Sequence, residues 1–254
     1  MARYPTQLED SARRQVAAWL LLCCAMIFAM VILGGATRLT GSGLSMVEWD
    51  PVFGVLPPLN QEEWEDVFSK YRDSPEYQQV NIGMDLEGFK TIYWYEFTHR
   101  LLGRSIGTVF LLPFLYFLAR RMLTPRLIPR LAIAFILGGL QGLLGWYMVK
   151  SGLIDQPHVS QYRLTAHLSL ALIIYCYLLW LVLELLFPQQ KSSATTGKAS
   201  QKVALFIFFL VAITIVSGGF VAGLKAGGTC IRDERCVDKS FPGFWRVFKQ
   251  LEDR

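Results

Sequence analysis

Charged residues are scarce in this sequence. Asp, Glu, Lys and Arg make up 18% of the 254 residues, whereas a soluble domain has about 25%. Apolar residues reach 53% and are gathered into runs of about twenty, the length that a bilayer demands of a helix. This composition excludes a soluble globular enzyme, a disordered chain and a disulfide-stapled scaffold.

Sequence patterns typical of a membrane β-barrel, which are strands of about ten alternating residues, are also lacking. Helices are therefore the only way to pair every backbone polar group inside lipid. We predict an all-α integral membrane protein, with a four-helix transmembrane bundle, a fifth transmembrane helix and a helical outer loop. The predicted spans are 16–36, 97–119, 131–149, 164–186 and 203–224.

The charges between the spans predict the orientation. Three segments carry the basic residues of the inner side: the N-terminal arm, the loop after the second span and the loop after the fourth. The loop 40–92 holds ten acids against three bases, so it lies outside. The net charge of +5 is thus a topology signal, and no nucleic-acid partner is expected. The basic residues are Arg3, Arg13, Arg14, Arg120, Arg121, Arg126, Arg130, Lys191, Lys198 and Lys202.

The long outer loop is expected to form a helical lid. Asn60 followed by Glu63 resembles a capping box, and Asp85 is a candidate cap for a second helix that runs into the second span. Between these caps an apolar stripe recurs at helical spacing, formed by Trp64, Val67, Phe68 and Tyr71.

Histidine is rare, with three in the chain. His99 and His167 lie within predicted spans, where ionisable residues are usually functional, and His158 is expected to be solvated in an outer loop. Both spans run inward, and the two histidines lie at similar distances from the inner ends, so they share one depth near the outer face. Two facing imidazoles on parallel helices can ligate a haem iron from both sides. The alternative is that neighbouring carbonyls satisfy them.

Other ionisable residues surround this pair. Glu96 precedes His99 by three residues on the same helix face, so it is a candidate for proton transfer. Neutralisation by Arg100 and orientation of His99 are the alternatives. Arginine suits the bidentate binding of haem propionates, although each one could simply snorkel to the interface. The arginine candidates are Arg38, Arg100, Arg104 and Arg163.

Small residues and cysteines complete the sequence evidence. Gly103 and Ala171, one turn beyond each histidine, would leave room for a flat macrocycle. Three cysteines fill apolar spans, and two in the tail could pair in an oxidising compartment. The sequence has no P-loop, Gly-x-Ser-x-Gly or Cys-x-x-Cys motif. The cysteines are Cys23, Cys24, Cys176, Cys230 and Cys236.

Several long strings in residues 15–227 are specific enough to indicate a family. They are LGGATRLT at 33–40, SGLSMVEW at 42–49, YEFTHR at 95–100, QGLLGWYMVKSG at 141–152, VSQYRLTAH at 159–167 and FVAGL at 220–224. With these strings the chain resembles haem A synthase of the mitochondrial and alphaproteobacterial branch.

The resemblance implies an oxidoreductase that converts the C8 methyl of haem O to the formyl group of haem A for cytochrome c oxidase assembly. Members of this family are tandem repeats of two four-helix bundles, each with a histidine pair. The first pair matches His99 and His167, which would hold the substrate iron, and Glu96 would be catalytic. A Glu96→Gln change should then keep haem bound but remove activity. The second pair, for a cofactor haem b, belongs to helices beyond residue 227.

The chain departs from the family pattern after residue 227. We predict an inner arm (1–15), a haem-binding bundle with its lid (16–186), an inner linker (187–202), the first helix of an incomplete second bundle (203–227) and a divergent outer tail (228–254). A truncated or alternatively spliced product would look like this. A non-catalytic haem-binding remnant and a bis-histidine electron-transfer cytochrome are therefore the alternative functions.

The expected location is the mitochondrial inner membrane, because loop 40–92 lacks the cysteine pair of some bacterial members. A bacterial plasma membrane is the alternative. Expected partners are haem O and the lipid bilayer, and further candidates are a haem O synthase, an electron-transfer protein and a second copy of the chain. Gly219 and Gly223 have the small-xxx-small spacing that would suit such helix docking.

Overall fold

The computed structural model describes residues 8–48, 56–153, 159–188 and 198–223. Seven helices and no strand lie in these ranges. Five of the helices are long and apolar enough to cross a membrane, which confirms the predicted all-α class and span number. The helices are α1 (Asp10–Leu39), α2 (Gln61–Arg72), α3 (Pro75–Gln79), α4 (Leu86–Ala119), α5 (Leu127–Gly152), α6 (Gln161–Leu186) and α7 (Lys198–Gly223).

Four of the long helices form a bundle with a definite order around its axis. Helix α1 packs against α4 and α6, and α5 packs against the same two helices. Within the described ranges α4 and α6 make no close backbone contact with each other, so they occupy opposite corners of the bundle. Helix α7 packs on α6 alone among the helices, outside the four-helix bundle.

The tightly packed core lies at the end of the bundle away from the lid. It is built from the start of α1, the end of α4, the start of α5 and the end of α6. Trp19 of α1 packs against Phe110 and Phe117, and its Nε1 donates to the Val109 carbonyl oxygen at 2.8 Å. Because lipid is as apolar as these side chains, close packing and such hydrogen bonds hold the helices together.

The predicted lid is helical, and both predicted caps are confirmed. Asn60 Oδ1 accepts from the Glu63 backbone N–H at 2.9 Å, and Glu63 Oε2 accepts from the Leu59 N–H at 2.7 Å. Asp85 Oδ1 accepts from the Gly88 N–H at 2.8 Å. Helix α4 starts at Leu86, well before the predicted residue 97, because the second lid helix and the second span are one continuous helix.

An aromatic cluster fastens the lid to the extension of α4. The stripe of α2 packs against that helix, with the Tyr71 ring stacked on Phe89 at 4.9 Å and Trp64 edge-on to Tyr93 at 5.0 Å between ring centroids. Both Tyr71 and Phe89 are fully buried. The apolar stripe read from the sequence therefore faces α4.

Some predictions fall outside the described residues. These are the solvated loop position of His158, the pairing of Cys230 with Cys236, and the fold of the tail 228–254. Residues 1–7 of the N-terminal arm, which include Arg3, also lie outside them. The same is true of residues 189–197 of the linker, which include Lys191.

Candidate functional site

The two intramembrane histidines face each other across the lid-side half of the bundle. His99 lies on α4 and His167 on α6, the helices at opposite corners, and both side chains are half-buried. The imidazoles are close enough to interact electrostatically. The structure thus brings together the two histidines that the sequence singled out.

A glycine of α1 makes room for His99. A Cβ added at Gly34 would lie 3.3 Å from His99 Nε2, which is tighter than an ordinary contact. Gly34 belongs to the LGGATRLT string, so that string supplies one wall of the histidine site. A larger residue at this position would displace the imidazole or separate α1 from α4.

His167 is held by α5. A Cβ added at Gly145 would lie 2.9 Å from His167 Cε1, so only glycine allows α5 this close to the ring. One turn earlier, Gln141 Nε2 lies 3.0 Å from the His167 carbonyl oxygen and 3.3 Å from the ring Nε2. His167 Nδ1 is buried and has no hydrogen-bond partner in the described part of the chain.

Glu96 is at the centre of a buried polar network. It is 2% exposed, and its Oε1 is ion-paired with Arg100. Its Oε2 accepts from Ser45 Oγ at 2.7 Å and from the Met46 N–H at 2.8 Å. Both carboxylate oxygens are therefore engaged, and they tie the segment after α1 to α4 beside His99.

The four candidate arginines have different surroundings. Arg38 donates to the Ala222 carbonyl oxygen at 2.7 Å, and Arg100 donates to the Met46 carbonyl oxygen at 3.0 Å as well as to Glu96. The Arg163 guanidinium lies 4.6 Å from the centroid of the Tyr147 ring, and Arg104 is half-buried on α4.

Gly103 is exposed on α4, where an added Cβ would lie 3.4 Å from the Met30 Cε on α1, an ordinary packing distance. That Gly103 and Ala171 leave room for a macrocycle stays a prediction. Close approach to the histidines is allowed by Gly34 and Gly145, on the helices that flank each ring.

The fifth long helix docks beside this site. Gly219 of α7 sits against α6, where an added Cβ would lie 2.9 Å from Thr165 Oγ1, two residues before His167. Tyr162 and Phe220 pack edge to face at 5.6 Å. The small residue proposed for docking a second copy is therefore used within the chain.

The arrangement fits a haem better than a bare metal ion. In the described residues no three His, Cys, Asp or Glu side chains converge as a metal site, but a haem iron needs only two axial ligands because the macrocycle supplies the others. His99 and His167 are the candidates for that pair, because they lie on helices at opposite corners of one bundle.

Sequence analysis missed four residues of this site: Gly34, Gly145, Gln141 and Ser45. All four lie in the strings that indicate the family, but strings alone do not reveal which side chains meet. Ser45 and Gln141 act through contacts between helices or with the loop, so their roles depend on the register of elements far apart in the chain.

Comparison with known proteins identifies the family of the chain. A family model described as cytochrome oxidase assembly protein, COX15-CtaA, matches residues 17–253. The match runs past residue 227 and so includes the tail that the sequence analysis set apart. No solved structure matches the chain.

Individual relatives are bacterial proteins named haem A synthase. The one from Nitrosospira multiformis is 52% identical over 223 residues, covering 87% of this chain and 63% of that protein. The one from Nitrosomonas eutropha is 51% identical, covering 88% of this chain and 64% of that protein. A third, from Paramagnetospirillum magneticum, is 50% identical, covering 97% of this chain and 72% of that protein. The chain thus spans slightly under two thirds of the first two relatives, and it belongs to the COX15-CtaA family of cytochrome oxidase assembly proteins.

Proposed function

We propose that the chain is an oxidoreductase of the haem A synthase type. It would bind haem O between His99 and His167 and convert the C8 methyl to a formyl group for cytochrome c oxidase assembly. The observation that carries this proposal is the placement of the two imidazoles on opposite helices of one bundle. The names of the bacterial relatives supply the reaction.

His99 and His167 would be the axial ligands of the substrate iron. Gly34 and Gly145 allow α1 and α5 to approach the rings, so both imidazoles are confined before a ligand arrives. Such confinement lowers the entropic cost of placing the substrate. The bound macrocycle would thereby hold its methyl group at a fixed distance from the α4 side chains.

Glu96 is better placed to stabilise charge than to carry protons. Oxidising a methyl group removes electrons and protons together, and positive character develops at the carbon. Ser45, Met46 and Arg100 hold the Glu96 carboxylate in one position. A fixed carboxylate in a dry site stabilises a developing cation without having to reorient.

Of the candidate arginines, Arg163 is the best placed to bind a propionate. Arg38 and Arg100 donate to main-chain carbonyl oxygens, so a propionate would have to replace those bonds. Arg163 lies one helical turn before His167 and stacks on an aromatic ring, which leaves the edge of its guanidinium to bind a carboxylate.

The protein is a multi-pass membrane protein, but its membrane remains a proposal. The relatives named above are bacterial, which favours the plasma membrane over the mitochondrial inner membrane predicted first. A haem O synthase, an electron-transfer protein and a second copy of the chain remain the proposed protein partners. Expression of tagged protein followed by membrane fractionation in its own cells would decide the location.

Pigment analysis tests the function. The chain would be expressed in a host that makes haem O but lacks haem A synthase. The extracted haems would then be separated by chromatography and identified by mass spectrometry. Haem A should appear with the unaltered chain and be lost with His99→Ala or His167→Ala, while Gly139→Ala should behave as the unaltered chain. Bound haem O without conversion would support a non-catalytic haem-binding protein. No bound pigment would reject the site.

A further inference from the structure

Gln141 is the polar group that touches a candidate iron ligand most directly. Its side-chain nitrogen lies 3.0 Å from the His167 carbonyl oxygen and 3.3 Å from His167 Nε2. Gln141 lies one turn before Gly145, the glycine that contacts the same ring. The amide and the glycine together form a cradle on α5 for one imidazole.

The hydrogen bond from Gln141 to the His167 carbonyl oxygen determines which atom is the donor in the contact with the His167 ring. A carbonyl oxygen only accepts hydrogen bonds, so the Gln141 atom beside it must be the NH2 group and not the amide oxygen. The same NH2 group therefore donates its second hydrogen to His167 Nε2. The ring must then carry its hydrogen on Nδ1, which is buried without a partner among the described residues.

We propose that Gln141 is a positioning residue that holds the Nε2 lone pair of His167 while no haem is bound and gives it up when the iron arrives. This inference rests on the proposed function, since it requires an iron ligated by His167. One lone pair cannot serve both a hydrogen bond and an iron. The hydrogen bond is therefore a feature of the haem-free protein alone, and the amide keeps the ligating nitrogen unprotonated.

The consequence is a predicted gain in haem affinity when the amide is removed. A Gln141→Leu change, close in volume, takes away a bond that only the haem-free protein has. The bond to the His167 carbonyl oxygen is lost from both forms, so the haem-free form should be destabilised by one hydrogen bond more than the haem-bound form. The purified full chain in detergent should then bind ferric protoporphyrin about two- to tenfold more tightly, the range expected from the net strength of one hydrogen bond.

The spectrum of the bound haem provides a second readout. The electron paramagnetic resonance signal of a bis-histidine haem should be the same in the unaltered chain and in Gln141→Leu, because the amide has left Nε2 in both. Thermal unfolding should show a larger stabilisation by haem in the variant than in the unaltered chain. Gln141→Ala should shift affinity in the same direction if the leucine variant does not fold.

The controls separate this inference from the function on which it rests. Leu143→Ala, at an exposed position of the same helix, should leave affinity unchanged. His167→Ala should remove the bis-histidine signal, and if it does not, the proposed haem site itself is wrong. His167 could prove necessary while Gln141→Leu binds haem more weakly or changes the signal. Gln141 would then stay bonded to His167 in the haem-bound protein, and the proposed release of Nε2 to the iron would be wrong. Equal affinity would also reject it.

Discussion

Glu96 joins three partners through one carboxylate, so a small change there should be costly. Glu96→Gln removes the ion pair with Arg100, whose side chain is only 10% exposed, and turns an amide towards groups that donate. Breaking a buried pair on one side costs about 3–5 kcal/mol. We expect a lower thermal unfolding temperature in detergent and a loosened outer loop, in addition to the loss of activity expected from the sequence.

An exposed ion pair on the same helix is the matched control. Glu87 pairs with Lys90 at 2.7 Å, and its side chain is 77% exposed. Glu87→Gln should change stability by less than about 1 kcal/mol. Equal effects of the two substitutions would contradict the view that the buried network holds the loop to α4.

The two glycines of α5 allow a sharp comparison. Gly145→Ala would place a methyl group 2.9 Å from His167 Cε1, whereas an added Cβ at Gly139 meets nothing within 4 Å. We expect Gly145→Ala to weaken the binding of ferric protoporphyrin by displacing the ring. Gly139→Ala should leave binding intact and raise stability slightly, because alanine favours the helix by about 0.5–1 kcal/mol. Absorbance titration measures both, and equal binding would show that the His167 ring adapts freely.

The residue types indicate the two candidate ligands, but they do not indicate the residues that hold those ligands in place. His99 and His167 stand out because ionisable residues are rare inside a membrane. Ser45 does not stand out because polar residues are common in loops, and Gln141, in the middle of α5, does not stand out because it is not ionisable. Their roles arise from a donor and an acceptor meeting across two elements, and no spacing within one element shows that.

At the scale of whole helices, the docking of α7 depends on one position. Gly219→Ala would bring a methyl group 2.9 Å from Thr165 Oγ1 and 3.3 Å from the Thr165 Cα, which is backbone and cannot rotate away. Overpacking of this kind costs about 1–3 kcal/mol. Gly218→Ala meets nothing within 4 Å and is the control. Thermal unfolding in detergent should separate the two, and similar unfolding temperatures would mean that α7 is held elsewhere.

The lid should loosen at alkaline pH. Burial raises the pKa of Tyr71 from its ordinary value of 10.0 to about 12, and this effect outweighs the opposing hydrogen bond that Asn81 Nδ2 donates to the hydroxyl oxygen at 2.7 Å. The lid therefore favours the neutral phenol. That stabilisation is complete below about pH 10 and is lost as pH rises through about 12.

Tyr71→Phe tests this dependence. Between about pH 10 and pH 12 the unfolding temperature should fall more steeply in the unaltered chain than in Tyr71→Phe, which has no phenol to ionise. The variant should be less stable at neutral pH because it loses the Asn81 hydrogen bond, worth about 1 kcal/mol. Tyr162→Phe, at an exposed position, should follow the unaltered chain. Parallel curves for Tyr71→Phe and the unaltered chain would reject the effect.

The elements themselves were largely predictable. Five apolar runs gave five helices, and Asn60 and Asp85 gave the starts of α2 and α4. The predicted continuity of the second lid helix with the second span is also confirmed, although the polar stretch before residue 97 is too hydrophilic for lipid. Packing of Phe89 and Tyr93 on α2 stabilises that extension outside the apolar window.

For the whole molecule, the charge distribution predicts which end lies inside. Arg120 and Arg121 follow α4 at the end of the bundle opposite the lid, and Arg130 pairs with Glu184 there at 2.5 Å. Reporter domains fused at residue 195 and at residue 70 should therefore be found on opposite sides, the first inside and the second outside. The reverse assignment would contradict the positive-inside reading.

The order of the helices around the bundle axis could not be predicted from the sequence. Periodicity shows that a helix has an apolar face, but nearly every face of these helices is apolar. The diagonal placement of α4 and α6, on which the histidine site depends, follows from the pairing of α1 with both of them. That pairing is settled by small contacts such as Gly34 against His99.

The contact between α1 and α6 also has a consequence for biogenesis. Helix α1 leaves the ribosome before its partners α4 and α6, and α6 ends only at Leu186. Until α6 is inserted, the face of α1 that packs against α6 has no helix to contact, and the histidine site is incomplete. Cellular insertion factors that shield single helices should therefore be needed longest for α1, and haem can be enclosed only after α6 has been inserted.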